Sequence, residues 1–266
     1  MKHNIGGQAL IEGVLMKNRN KIGIAVRKSK KIIVKKDKLN LKESNIPFLR
    51  GIINLFVILY IGIKALNYST NISLGKEEKI SFWEIFFSLL FAVVFGLVIF
   101  KFLPLFFTTF FDKYIKINNI IFNVVEGLLK VGIFVLYVYL ISLMKDVHRV
   151  FQYHGAEHKA VACYEADKKL NVKEVQKFRT EHKRCGTSFI FLVLLISVIV
   201  YSFIPKDFGF WTKFGLRVIL LPVISGISYE ILKLGAKHNI FGFLVLPGLW
   251  IQKITTQQPD DKQVEV

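Results

Sequence analysis

Long apolar runs constrain this chain more than any other feature. A helix crosses a hydrocarbon core about 30 Å thick with about 20 consecutive apolar residues. Phe82 to Phe107 and Ile120 to Leu143 meet that length, and Ser188 to Ile204 and Leu216 to Leu234 approach it. Hydrophobic residues make up 53% of the chain, with 25 Phe, more apolar surface than an aqueous exterior tolerates. The expected fold is mainly α, a multi-pass membrane protein of about four transmembrane helices plus interfacial helices. Lys101 and Pro104 lie near the far end of the first run, where Lys can snorkel and Pro can kink. Ile52 to Ile63 gives only about 18 Å of helix, too short to span. It reads as interfacial or re-entrant, with a strained fifth span as the alternative. Ile240 to Ile251, interrupted by Pro247 and Gly248, reads as interfacial.

The net charge of +18 lies outside those runs. Residues 1 to 50 and the loop Lys145 to Thr187 are dense in Lys and Arg, whereas Asp112 to Asn119 and Pro205 to Gly215 carry little charge. The positive-inside rule therefore places both termini and the long middle loop in the cytoplasm. A spanning Ile52 to Ile63 would break that parity. The basic charge reads as orientation and attraction to anionic lipid. No aromatic-interleaved RNA-binding pattern or zinc-finger spacing accompanies it, so specific nucleic-acid binding is not expected. Residues Met1 to Asn20 show no apolar core or cleavage site of a signal peptide.

Six segments follow. Residues 1–47 form a small basic, β-rich unit. Within it Ile22 to Arg27 and Lys31 to Lys35 alternate as strands across Lys28-Ser-Lys30, with a third strand over Ala9 to Met16. Residues 48–80 hold the interfacial or re-entrant helix, 81–144 the first transmembrane hairpin, and 145–187 a basic cytoplasmic loop. Residues 188–236 hold the second hairpin and 237–266 an interfacial stretch and polar tail. Gly6, Gly7 and Gly51 belong to no complete phosphate loop and are expected to serve turns.

The chemistry-bearing cluster is His154-Gly-Ala-Glu157-His158. Two His at i, i+4 share one helix face and can reach one ion. The H-x-x-E-H order matches the inverted zincin pattern, in which the intervening Glu acts as general base on a water. At 100° per residue Cys163 points away from His154, and Glu165 lies about 10 Å beyond His158. Further ligands are expected from Glu181-His182-Lys-Arg-Cys185, with His182 and Cys185 closing a zinc site. Cys163 and Cys185 fall in the cytoplasmic loop, where thiols stay reduced. Glu230 is a further candidate, as a ligand or as an acceptor behind one; alternatively it pairs with a Lys. Glu126 and Lys130, at i, i+4 inside a span, read first as a pair.

The blocks Gly6-Gly-Gln-Ala-Leu-Ile-Glu-Gly-Val-Leu-Met16, Arg50-Gly51, His154-Gly-Ala-Glu-His-Lys159 with Cys163-Tyr-Glu165, Arg184-Cys-Gly-Thr-Ser-Phe189, Leu221-Pro-Val-Ile-Ser-Gly-Ile-Ser-Tyr-Glu230, and Pro247-Gly-Leu-Trp-Ile-Gln252 through Asp261 together resemble the YqhQ-like family. The likeness spans nearly the whole chain. It implies a bacterial cytoplasmic-membrane protein, in a family labelled as predicted metal-dependent enzymes of undefined activity.

Three functions compete. In the first, His154 and His158 hold zinc, His182 or Cys185 completes the shell, and Glu157 activates water in a hydrolase at the cytoplasmic face. In the second, the basic face is a non-enzymatic scaffold that docks a protein partner in membrane-protein biogenesis. In the third, Glu126, Lys130 and Glu230 serve a transporter, which few in-span polar residues support.

Overall fold

The computed structural model describes residues 5–39, 46, 49–75, 81–237, 242–243 and 246–266. The chain opens with a four-stranded antiparallel meander: β1 Ile5–Leu10, β2 Gly13–Asn18, β3 Lys21–Lys28 and β4 Lys31–Lys38, in the order β1-β2-β3-β4. The two strands expected over 22–35 are β3 and β4. The single strand expected over Ala9 to Met16 is instead the end of β1 and most of β2. A two-residue turn separates them, with Glu12 at φ 54°. That left-handed residue is held from outside: Arg149 grips its carboxylate through Nε and Nη2, and the Tyr153 hydroxyl donates to it at 3.3 Å.

The sheet packs on α1, Leu49–Leu74. Leu10, Leu15 and Ile22 bury against Ile61 and Ala65 at the middle of that helix. The apolar run Ile52 to Ile63 is therefore the core of a longer helix. Its 26 residues are long and apolar enough to cross a membrane. Asn67 to Leu74 prolong it as helix although they are more polar. Helix α2, Phe82–Leu97, continues through a π-turn, Val98–Phe102, into α3, Leu103–Ile115. Pro104 lies just after the π-turn inside this continuous helix, and the π-turn accommodates its missing N–H. This unit and α4, Asn119–Ser142, are also long and apolar enough to cross.

Helix α5, Lys145–Glu165, is polar, and a short α6, Val172–Val175, follows it. Helix α7, Gly186–Tyr201, is apolar but only 16 residues long. The run expected as one span over Leu216 to Leu234 is two helices, α8 Phe210–Ile219 and α9 Leu221–Lys237, bent by 44°. Pro222 beside the joint cannot donate back into the preceding turn. Among the described residues, counting the bent pair as one gives up to four candidate spans, α1 among them, while α7 is shorter at 16 residues. Helix α10, Leu246–Thr255, buries Ile251 among Phe134, Val138, Phe191 and Leu194 of α4 and α7. Residues 240, 241, 244 and 245 of the stretch expected to be interfacial lie outside the described residues. A terminal helix, α11 Asp261–Glu265, is capped by Asp260 and bonds to α5 through Gln263 and Gln152 at 3.0 Å.

Inside the helical body, Glu126 pairs with Lys130 at 3.5 Å, as expected, but its main partner is Arg217. All three side chains are buried. Asn123 and Tyr201 complete the shell of Arg217, through Asn123 Oδ1 at 3.2 Å and the Tyr201 hydroxyl donating to its carbonyl at 2.8 Å. A charge this deep persists only when paired.

Candidate metal centre

Helix α5 lies beneath β1 and carries the site. His154 and His158, one turn apart, present their rings to each other with centroids 4.5 Å apart. His154 Nδ1 is 2.8 Å from the Thr255 carbonyl, and His158 Nδ1 contacts the Thr180 carbonyl. A carbonyl can only accept, so each Nδ1 is the donor, and in a neutral ring Nε2 is left as a lone pair. His154 Nε2 faces the Cys185 thiol, and His158 Nε2 faces the Glu157 carboxylate. Orienting metal-binding imidazoles through a carbonyl on the other nitrogen is the usual arrangement.

Cys185 supplies the third group. Its Sγ lies 3.3 Å from His154 Nε2 and 2.9 Å from Thr187 Oγ1. It is the N-cap residue of α7, where the helix dipole favours a negatively charged ligand. One ligand atom from each of His154, His158 and Cys185 lies within 4.8 Å of the others. Tetrahedral zinc with bonds of 2.0 to 2.3 Å separates its ligand atoms by about 3.4 to 3.6 Å, so small side-chain movements close the set around an ion. Cys163 is buried elsewhere, its Sγ 3.6 Å from the Lys169 carbonyl.

Glu157 borders the trio. Its Oε2 is 3.6 Å from His158 Nε2, and its side chain presses on Gly7, where an added Cβ would sit 2.6 Å from Glu157 Cγ and 2.8 Å from the Leu15 carbonyl. Burial pushes this carboxyl up to about 7, although the neighbouring His154 ring and the Gly7 N–H both favour the anion. Gly7 thus serves close approach of the sheet to α5 rather than a turn. Gly51 does the same for α1 against Tyr229, 2.8 Å from a built Cβ.

Two expected residues fall outside the trio. The segment around His182 is not helical, so the i, i+3 spacing does not align His182 with Cys185. Its Nε2 faces Glu165 at 3.4 Å and its Nδ1 accepts from the Arg184 N–H at 3.3 Å. Burial lowers its pKa. Glu230 pairs with Arg50, whose Nε donates to it at 2.7 Å. The geometry likewise does not bring Glu126, Lys130 and Glu230 together.

The supports of the trio come from residues distant in the sequence. Gln252, fully buried in α10, accepts from the His182 N–H at 2.8 Å and donates to the His182 carbonyl at 2.9 Å and to Ser188 Oγ at 2.8 Å. It fixes the loop that delivers Cys185. An amide directly after the apolar run Leu249-Trp-Ile251 was the available signal. Glu165 also holds Arg184. A cavity of about 420 Å³ adjoins the cluster between the sheet, α1, α5 and α9.

A family model described as a protein of unknown function, DUF1385, matches residues 46–266. The chain is 35% identical over 293 aligned positions to the uncharacterized protein YqhQ of Bacillus subtilis (strain 168), covering 100% of this chain and 91% of that protein. No solved structure matches it.

Proposed function

The chain belongs to the DUF1385 family, and we propose that it is a multi-pass protein of the bacterial cytoplasmic membrane that binds zinc and hydrolyses a substrate at the cytoplasmic face. The observation that carries this reading is the orientation of the trio. Backbone carbonyls hold both Nδ1 atoms, which leaves both Nε2 atoms as lone pairs beside Cys185, whose thiol lies 3.3 Å from His154 Nε2 and within 4.8 Å of a ligand atom of His158. Three protein ligands leave a tetrahedral ion one open position, the arrangement of catalytic rather than structural zinc. When bound, zinc supplies Lewis-acid activation of water and substrate. Glu157 sits beside the ligand set and accepts the proton at its carboxylate as general base. The Gly7 N–H holds that carboxylate in place. Arg184 and His182 flank the cavity and orient the substrate.

The position of the basic sheet supports a particular membrane arrangement. It covers the middle of α1, and its exposed outer strand carries Lys31, Lys35, Lys36 and Lys38. A helix with such a cover at its midpoint lies along the interface, leaving α2–α3, α4, α7 and α8–α9 to span. Both termini and α5 then share the cytoplasmic side, in keeping with the positive-inside rule.

Metal analysis of the full chain purified in detergent tests the reading. The expected result is stoichiometric zinc, lost in His154→Ala and His158→Ala and retained in His148→Ala, an exposed residue of the same helix. Wild-type protein without stoichiometric metal overturns it. The exposed lysines of the edge strand β4 favour a second reading, docking of an acidic protein partner, which crosslinking from that strand would reveal.

A further inference from the structure

The cavity beside the trio has two kinds of wall. One is basic: Lys17, Arg19 and Arg184, the last paired with Glu165, line it, and Glu157 is the only carboxylate among its described lining residues. The other is apolar, formed along one stripe of α1 by Leu55, Ile58 and Ile61. Leu55 and Ile58 line the cavity and are also exposed, at 39% and 52%, in one surface with Phe56 and Leu59. The cavity therefore opens sideways onto the apolar flank of α1. Between the two walls sits Asn54, whose amide donates to the Tyr229 hydroxyl at 3.4 Å. Its Oδ1 is buried with no hydrogen-bond partner. An orphaned buried acceptor has a cost that a ligand donor would remove.

We infer that the cavity takes one anionic phospholipid with a hydroxyl-bearing headgroup, entering laterally from the membrane. The phosphate lies toward Lys17, Arg19 and Arg184. A headgroup hydroxyl donates to Asn54 Oδ1, and the first part of an acyl chain lies over Leu55 and Ile58. The volume falls in the range of small-ligand pockets, too small for a whole two-chain lipid, so the remaining chain stays in the bilayer. Phosphocholine fits poorly, because it has no hydroxyl and places a cation beside the basic wall. This inference rests on the proposed function for the lipid's role as substrate; its binding does not need the metal.

The test is equilibrium binding by the detergent-purified full chain, with zinc content measured on the same samples. Three probes are compared: short-chain phosphatidylglycerol, phosphatidylcholine of equal chain length, and glycerol phosphate without a chain. Phosphatidylglycerol is expected to bind at least about tenfold more tightly than either of the others. Arg19→Glu should abolish the preference over phosphatidylcholine, and Asn54→Leu should weaken phosphatidylglycerol alone. Ile58→Asp, at an exposed position, should weaken phosphatidylglycerol without altering zinc content. Equal affinity for the two lipids overturns the inference, as does indifference to Arg19→Glu. Glycerol phosphate binding as tightly as the lipid overturns it in favour of a soluble phosphate ester. A chain that selects phosphatidylglycerol but holds no zinc fails the hydrolase reading alone, and one that holds zinc without lipid selectivity fails the lipid inference alone.

Discussion

Gly155 stands inside the H-G-A-E-H motif, and replacing it with alanine tests how the metal centre is supported. A Cβ at Gly155 would press into the Gln257 carbonyl oxygen and lie 3.2 Å from both the Gln257 carbonyl carbon and Thr180 Cγ2. Each neighbour belongs to a segment that orients a ligand. Thr255, two residues before Gln257, supplies the acceptor of His154 Nδ1, and Thr180 supplies that of His158 Nδ1. The Gln257 N–H donates to the Phe151 carbonyl at 2.9 Å, so the segment cannot swing away without losing that bond. Restoring ordinary contact requires a retreat of about 1 Å. Overpacking of this kind costs about 1–3 kcal/mol, and loss of a group that orients a metal ligand costs about 10- to 100-fold in metal affinity. Gly155→Ala should therefore melt at lower temperature and bind zinc about 10- to 100-fold more weakly. Zinc competition against a chromophoric chelator and thermal unfolding, both in detergent, read these out. Gly186→Ala is the matched control. It adjoins Cys185, a Cβ there meets nothing within 4 Å, and it should bind zinc normally with stability unchanged or raised by up to about 1 kcal/mol. Wild-type zinc affinity in Gly155→Ala refutes the reasoning.

Three further outcomes are expected. Glu126→Gln leaves Arg217 and Lys130 buried without their shared carboxylate and should cost about 3–5 kcal/mol; a negligible change in thermal unfolding would mean the network is not closed as described. His182 is held below its unfolded pKa by burial, so the unfolded chain binds more protons as pH falls below about 6.5. That contribution is present at neutral pH and lost on acidification, and between pH 7 and 5 the wild type should lose more stability than His182→Asn. Glu12→Ala removes the Arg149 and Tyr153 contacts of the β1–β2 turn. Because Arg149 is half-exposed, at 47%, the stability cost should stay below about 1 kcal/mol, while amide exchange in β1 and β2 quickens and that of α4 does not.

Much of this architecture was legible because its signals are local. Apolar runs mark α2–α3 and α4, period-two alternation marks β3 and β4, and the i, i+4 spacing puts His154 and His158 on one face. What was not legible depends on distant contacts. Ala9 to Met16 alternates well enough for one strand, but Glu12, at φ 54° and held by Arg149 and Tyr153, turns the chain between β1 and β2. The length of α1 was hidden because polar residues after Ile63 continue the helix. Cys185 reaches the trio because Gln252, far along the chain, pins a non-helical loop, and that same loop turns His182 toward Glu165. Glu230 looked available because its partner, Arg50, lies at the other end of the chain. Pro222 was visible in the sequence but is compatible with either a kinked span or two helices.

X-ray absorption at the zinc edge of the full chain examines the proposed centre most directly. One sulfur scatterer near 2.3 Å and two imidazole nitrogens near 2.0 to 2.1 Å are expected, with the sulfur lost in Cys185→Ser and kept in Cys163→Ser. A shell without sulfur, or one that survives Cys185→Ser intact, contradicts that centre.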